Sequence, residues 1–222
     1  GKELEISIIG GHTEISEAVN KPIIHCTGLG WIKDGYLPDV SKIEAGDYIV
    51  MTKGAGIEGT AILFSEKEKE LQNLLDQETI NKGKQFWKMV SVFQEGKIAL
   101  SFHPHALHDA TEGGVLGAIW EVCAGRGLGF EIEEEKVLVY PETRILAQLL
   151  NLDPLKLISS GTLIIFTPQP LPLLPALREV VPAEVIGKVK GDPAKILIRQ
   201  SGEREEIKEC PQDELWRIIQ SA

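Results

Sequence analysis

Apolar positions along the chain switch between short strand-like runs and helix-like spacings. Residues 4–9 and 22–27 read as strands, the second through Ile23, Ile24, His25 and Cys26, and Gly10-Gly11-His12-Thr13-Glu14 breaks the first. Asp34-Gly35 signals a turn, 39–46 is linker-like, and Tyr48-Ile49-Val50-Met51-Thr52 is a compact apolar strand that opens a new core. A helix follows through Ala61, Ile62, Leu63 and Phe64, with more helix over 71–88 and a strand over 97–102. Residues 103–109 read as a polar loop. The stretch from Val115 to Cys123 predicts a helix apolar almost all round, with Leu116, Ile119, Trp120 and Val122 inside and only Glu121 strongly polar. Strands are expected at 129–132, 137–139, 162–167, 185–189 and 196–199, and helices at 141–150, 176–181 and 213–220. The irregular alternation predicts an α+β domain, a mixed sheet covered by helices in three layers.

Composition narrows the function classes. The 222 residues suit one large domain, or one domain plus a fragment. A net charge of −10 argues against nucleic acid and against an anionic membrane surface. No apolar run approaches the ~20 residues of a membrane-spanning helix. Cys26, Cys123 and Cys210 are far apart and form no C-x-x-C pair, so they read as reduced thiols, with a cytoplasmic location expected.

Three stretches invite chemistry. His108-Asp109-Ala110-Thr111-Glu112-Gly113-Gly114 is a polar turn entering the apolar helix, where unpaired amides favour an anion. Asp109 or Thr111 could instead cap that helix, Asp109 with Glu112 as a capping box. Gly54-Ala55-Gly56-Ile57-Glu58-Gly59 matches G-x-G-x-x-G between a strand and a helix, with Asp76 near the acidic position of a dinucleotide site. A second parallel strand is missing from the pattern, which favours a tight turn that brings helix close to strand. His103, His105 and His108 form an H-x-H-x-x-H run that could hold a metal, although the spacing matches no motif with known mechanics.

Read together, these pieces resemble the superfamily of aminoimidazole ribonucleotide (AIR) synthase and the hydrogenase-maturation protein HypE. Ile8-Ile9-Gly10-Gly11-His12-Thr13-Glu14 is similar to the family's glycine-glycine-acid-threonine turn. His25-Cys26-Thr27-Gly28-Leu29-Gly30, with Ala45-Gly46-Asp47-Tyr48-Ile49-Val50, looks like the crossing between its two domains. Asp109-Ala110-Thr111-Glu112-Gly113-Gly114-Val115 is similar to the D-x-T-x-G-G element of HypE, and Ser159-Ser160-Gly161-Thr162-Leu163 to its later turn before an apolar strand. Departures are Glu112 where arginine is frequent, Glu14 where lysine stands, Ser160 in place of an acid, and Cys210 well inside the chain rather than terminal.

The resemblance implies that residues 39–222 are the family's C-terminal domain, and that 1–38 are the last strands of its N-terminal ATP-binding domain. It implies ATP-dependent phosphorylation of an oxygen on a small-molecule substrate, within a homodimer. Asp109, Thr111, His12 and Glu14 would be catalytic, and Gly113, Gly114, Ser159 and Ser160 would bind phosphate or ligand. ATP and Mg²⁺ would belong to the complete protein, held by an upstream half rather than by this chain. The alternative is a binding or scaffolding module that keeps the fold without the chemistry.

Overall fold

The computed structural model describes residue 4, residues 6–32 and residues 35–220. It divides into two compact units, Gly1–Gly35 and Tyr36–Ala222. The second carries a seven-stranded sheet of β1 (Tyr48–Thr52), β2 (Ala106–Asp109), β3 (Gly129–Glu133), β4 (Leu163–Thr167), β5 (Ala183–Lys190), β6 (Lys195–Ile198) and β7 (Arg204–Glu206). Their spatial order is β2-β4-β1-β5-β3-β6-β7. Every pairing is antiparallel except β3 with β6, so the sheet is mixed as the sequence predicts. The helices are α1 (Ile57–Glu66), α2 (Glu68–Leu71), α3 (Gln77–Lys84), α4 (Phe93–Leu100), α5 (Gly114–Gly125), α6 (Pro141–Leu150), α7 (Pro170–Arg178) and α8 (Glu214–Gln220).

Alternation along the central strands sorts the core into layers. Ile49 and Met51 of β1, with Ile164 and Phe166 of β4, pack on Val115, Leu116 and Ile119 of α5. Val50, Leu163 and Ile165 point the other way, onto Ala99 of α4 and Leu173, Leu174 and Leu177 of α7. Each of the buried Val, Leu, Ile, Met and Phe side chains among these contributes roughly 1.5–3 kcal/mol of transfer free energy. Both faces of β1 and β4 are therefore covered, which explains their continuous apolar runs. Among the described residues, no helix is long and apolar enough to cross a membrane.

Five expectations are corrected. Residues 97–102 lie in and after helix α4, whose buried face is Glu95 and Ala99 at i and i+4. A charged residue on that face concealed its helical period. The "polar loop" contains strand β2, which pairs with β4 and makes an edge of the sheet. Residues 71–88 are broken between α2, α3 and a 3-10 turn at Gln85–Met89, and residues 137–139 form no strand after the 3-10 turn Glu134–Lys136. In the N-terminal unit no strand forms at 4–9 or 22–27 among the described residues, where Ile8, Ile9, Ile23 and Ile24 are 77–89% exposed. Strand propensity without a ladder partner does not make a strand.

Candidate functional site

β1 and β2 both run antiparallel to β4, so their C-terminal ends lie at one end of the sheet. Asp109 pairs with Leu163 there, and the Leu163 amide donates to Thr52 Oγ1 at 3.1 Å. The chain leaves this end through the β1–α1 loop, the β2–α5 turn and the approach to β4. Ala110 N–H donates to the Thr162 carbonyl at 2.8 Å, joining the last two. Two helix N-termini, of α1 and α5, open at the same end. Such a placement favours ligand binding at the carboxyl ends of strands.

Both helix ends are nevertheless closed by protein groups. Ser159 is fully buried, and its Oγ accepts from the amides of Gly56 at 2.8 Å and Ile57 at 3.4 Å. It also shares a 2.8 Å hydrogen bond with Thr162 Oγ1, which in turn donates to the Gly54 carbonyl at 2.6 Å. Ser159 is thus a cap for α1 supplied from a residue about a hundred positions away. The glycines of this loop serve close packing. A Cβ on Gly59 would meet Leu157 carbons at 2.4–2.9 Å, and one on Gly54 would meet the Tyr140 ring at 2.7 Å. The strands flanking β1 are antiparallel, so no dinucleotide-type parallel unit exists here.

At α5 the expected caps, Asp109 and Thr111, are not used. Instead Asp213 reaches across: its Oδ2 accepts from the Gly113 amide at 2.7 Å and its Oδ1 from Leu215 N–H at 2.8 Å. The Gly114 amide donates to the Thr111 carbonyl at 3.0 Å. Positive φ values of 74° and 63° at Gly113 and Gly114 require glycine. Added Cβ atoms would strike Pro211 O at 2.7 Å and Leu155 O at 2.6 Å, so both glycines face protein backbone rather than a ligand. Neither amide is free for a phosphate. The adjoining cleft of about 710 Å³ is acidic on balance, lined by Glu112, Glu121, Asp213 and Glu214, with Arg217 as its one cation, paired with Glu214. A triphosphate does not fit these two helix ends.

What this end does offer is the turn itself. Asp109, Thr111 and Glu112 are exposed, and the Asp109 and Thr111 side chains take no hydrogen bond among the described residues. Ser160 is half-buried beside them in the approach to β4. His12 and Glu14 belong to the N-terminal unit and are exposed. Cys123 is no nucleophile, because burial in α5 pushes its thiol up to about 12.

Burial raises the carboxyl of Asp213 above its ordinary value, against the amide hydrogen bonds that lower it. A raised carboxyl binds its proton more readily in the folded chain, so this group's contribution to stability increases as pH falls through the window between its unfolded and folded values. Asp213→Asn should remove that contribution. In urea titrations at pH 7 and at a pH just above the ordinary carboxylate range, the native chain should gain stability on acidification relative to the variant. A difference that moves the other way contradicts the assignment.

The three histidines do not converge. His103 is exposed at φ 50° and edge-on to Tyr36, with ring centroids 4.6 Å apart. His108 Nδ1 donates to the Asp109 carbonyl at 2.6 Å, and His105 Nδ1 lies 2.8 Å from Asp47 Oδ2. A buried ion pair beside the site was also missed. Lys53, at the end of β1, sits 2.5 Å from Glu95 Oε1 and donates to the carbonyls of Met89, Ser91 and Gly161 at 2.7–2.9 Å. The signal available was a lone lysine directly after an apolar strand. Its partner, 42 positions later, carries no mark in the sequence.

The family model described as AIR synthase related protein, C-terminal domain, matches residues 44–200. A Methanocaldococcus jannaschii protein provisionally named for hydrogenase expression and formation is 29% identical over 165 residues, which is 73% of this chain and 46% of that protein. The carbamoyl dehydratase HypE of Rhodobacter capsulatus is 27% identical over 166 residues, 74% of this chain and 46% of that protein. The crystal structure of Escherichia coli HypE, a hydrogenase maturation protein, matches with a TM-score of 0.67 at 25% identity, covering 84% of this chain and 56% of that chain. The chain spans about half the length of these relatives.

Proposed function

The chain belongs to the AIR synthase related protein family through the C-terminal domain it matches, and from that premise we propose that it is the substrate side of an ATP-dependent, HypE-like enzyme. The single observation that carries this reading is the exposed Asp109–Thr111 turn, whose two side chains are unbonded while the amides at the neighbouring helix ends of α1 and α5 are engaged in structure. A carboxylate and a hydroxyl two residues apart, held at a sheet end by the Ala110 and Leu163 hydrogen bonds, are pre-positioned at little further entropic cost.

The chemistry suggested by the relatives is removal of an oxygen from a carbamoyl group. ATP supplies that reaction by converting the oxygen into a phosphate ester, a far better leaving group. The residues of this chain do the rest. Asp109 accepts the proton from the nitrogen as the oxygen departs, and Thr111 orients the group by hydrogen bonding. Gly113, Gly114 and Ser159 act by holding α5 and α1 in place, and Ser160 lines the approach. ATP and Mg²⁺ would be held by a separate or upstream ATP-binding half rather than by this domain, and the complete protein would be a homodimer.

A second reading is a scaffolding module, favoured by the closed helix ends and the acidic cleft beside them. Turnover separates the two. In the full-length protein, Asp109→Asn should lower kcat/KM for ATP consumption with a carbamoyl-bearing substrate by about a hundredfold. Thr111→Ala should lower it by less. Thermal stability should be unchanged in both, since neither side chain is bonded. Unaltered turnover in both variants would leave the scaffolding reading.

A further inference from the structure

The opposite end of the sheet carries a second cluster of polar groups. Asp47 immediately precedes β1 and His105 immediately precedes β2, and the two strands run in the same direction with β4 between them. Asp47 is only 1% exposed. Its Oδ2 accepts from the Glu44 amide at 3.1 Å and lies 2.8 Å from His105 Nδ1. Its Oδ1 is buried with no hydrogen-bond partner. A buried carboxylate oxygen left without a partner is costly, and its presence asks what satisfies it. Glu44 completes the cluster: one oxygen from each carboxylate and one ring nitrogen of His105 all lie within 4.8 Å of one another.

We propose that Glu44, Asp47 and His105 bind a divalent transition-metal ion of the zinc type. The donor set selects this class. An imidazole with two carboxylates suits zinc and its neighbours, whereas calcium and magnesium prefer all-oxygen shells. Three protein ligands with water in the fourth position complete a tetrahedral site. The ion would give Asp47 Oδ1 the partner it lacks and take Nδ1 of His105, leaving the ring proton on Nε2. Glu44 is exposed, so its side chain can close onto the ion while Asp47 and His105 stay where the fold holds them. Such an ion would fasten the edge strand β2 to the turn that begins β1. The site uses one histidine of the H-x-H-x-x-H run and two acids distant in sequence.

The test is calorimetric titration of chelator-treated full chain with Zn²⁺, repeated with Co²⁺, whose visible spectrum reports tetrahedral coordination. The expected result is one ion per chain. Glu44→Gln and His105→Gln should each weaken binding about tenfold or more, and Asp47→Asn more strongly. A His103→Ala/His108→Ala double variant should bind as the native chain does. Glu44 is on the surface, so its variant reports ligation without risk to folding. Failure to bind one ion per chain would overturn the proposal. So would binding that survives both Glu44→Gln and His105→Gln, or that disappears in the His103/His108 double variant.

Discussion

Replacing Lys53 by methionine should cost about 3–5 kcal/mol of folding stability, the expected effect of removing one partner of a buried ion pair. Lys53 is 7% exposed and Glu95 2%, and the lysine also donates to three backbone carbonyls. The substitution leaves a buried carboxylate and those carbonyls without their donor. This ammonium group ties the carbonyls of Met89, Ser91 and Gly161 to the end of β1, so several segments share the loss. Adding Glu95→Leu to Lys53→Met should recover part of the deficit, because the orphaned charge is then gone. Urea denaturation with an unchanged m-value measures both. A single-variant loss below about 1 kcal/mol would mean that water already reaches the pair.

Gly114→Ala should be about as damaging, at least roughly 3 kcal/mol. The residue has φ 63°, and its new Cβ would stand 2.6 Å from Leu155 O, 2.7 Å from Leu157 O and 2.9 Å from Leu157 N. All three are backbone atoms, so no side-chain rotation relieves the clash, and α5 must shift within the core it anchors. Gly125→Ala, at the other end of the same helix, meets nothing within 4 Å. That change should be neutral or stabilising by up to about 1 kcal/mol. Equal tolerance of both substitutions in thermal melts would show that the Gly113-Gly114 pair is not a packing device.

Legibility followed the range of the interaction. Helix α6 was readable to its ends, since Pro141 starts it and Asn151 at φ 47° stops it, both local signals. The apolar strands β1 and β4 and the buried helix α5 were readable because both faces are covered and the pattern says so. Strand β2 was not, since three histidines and an aspartate around four strand positions look like a loop until β4 supplies the ladder. Helix α4 was hidden because its inward face carries Glu95, whose reason is Lys53. At the site, the Asp109–Thr111 turn was legible as a motif, but its neighbours were assigned by local logic alone. The cap of α5 comes from Asp213, a hundred residues downstream, and that of α1 from Ser159. Long-range caps free the turn for other work, and no local pattern announces them.

In the proposed function this domain presents the substrate side and the triphosphate is held elsewhere. Calorimetric titration of the purified 222-residue chain with Mg²⁺·ATP tests it most directly. No saturable binding is expected, because the amides at both helix ends are occupied and the cleft beside α5 is acidic. Saturable binding of one nucleotide per chain, altered by Asp213→Asn, would contradict the account and place the phosphates at α5 after all.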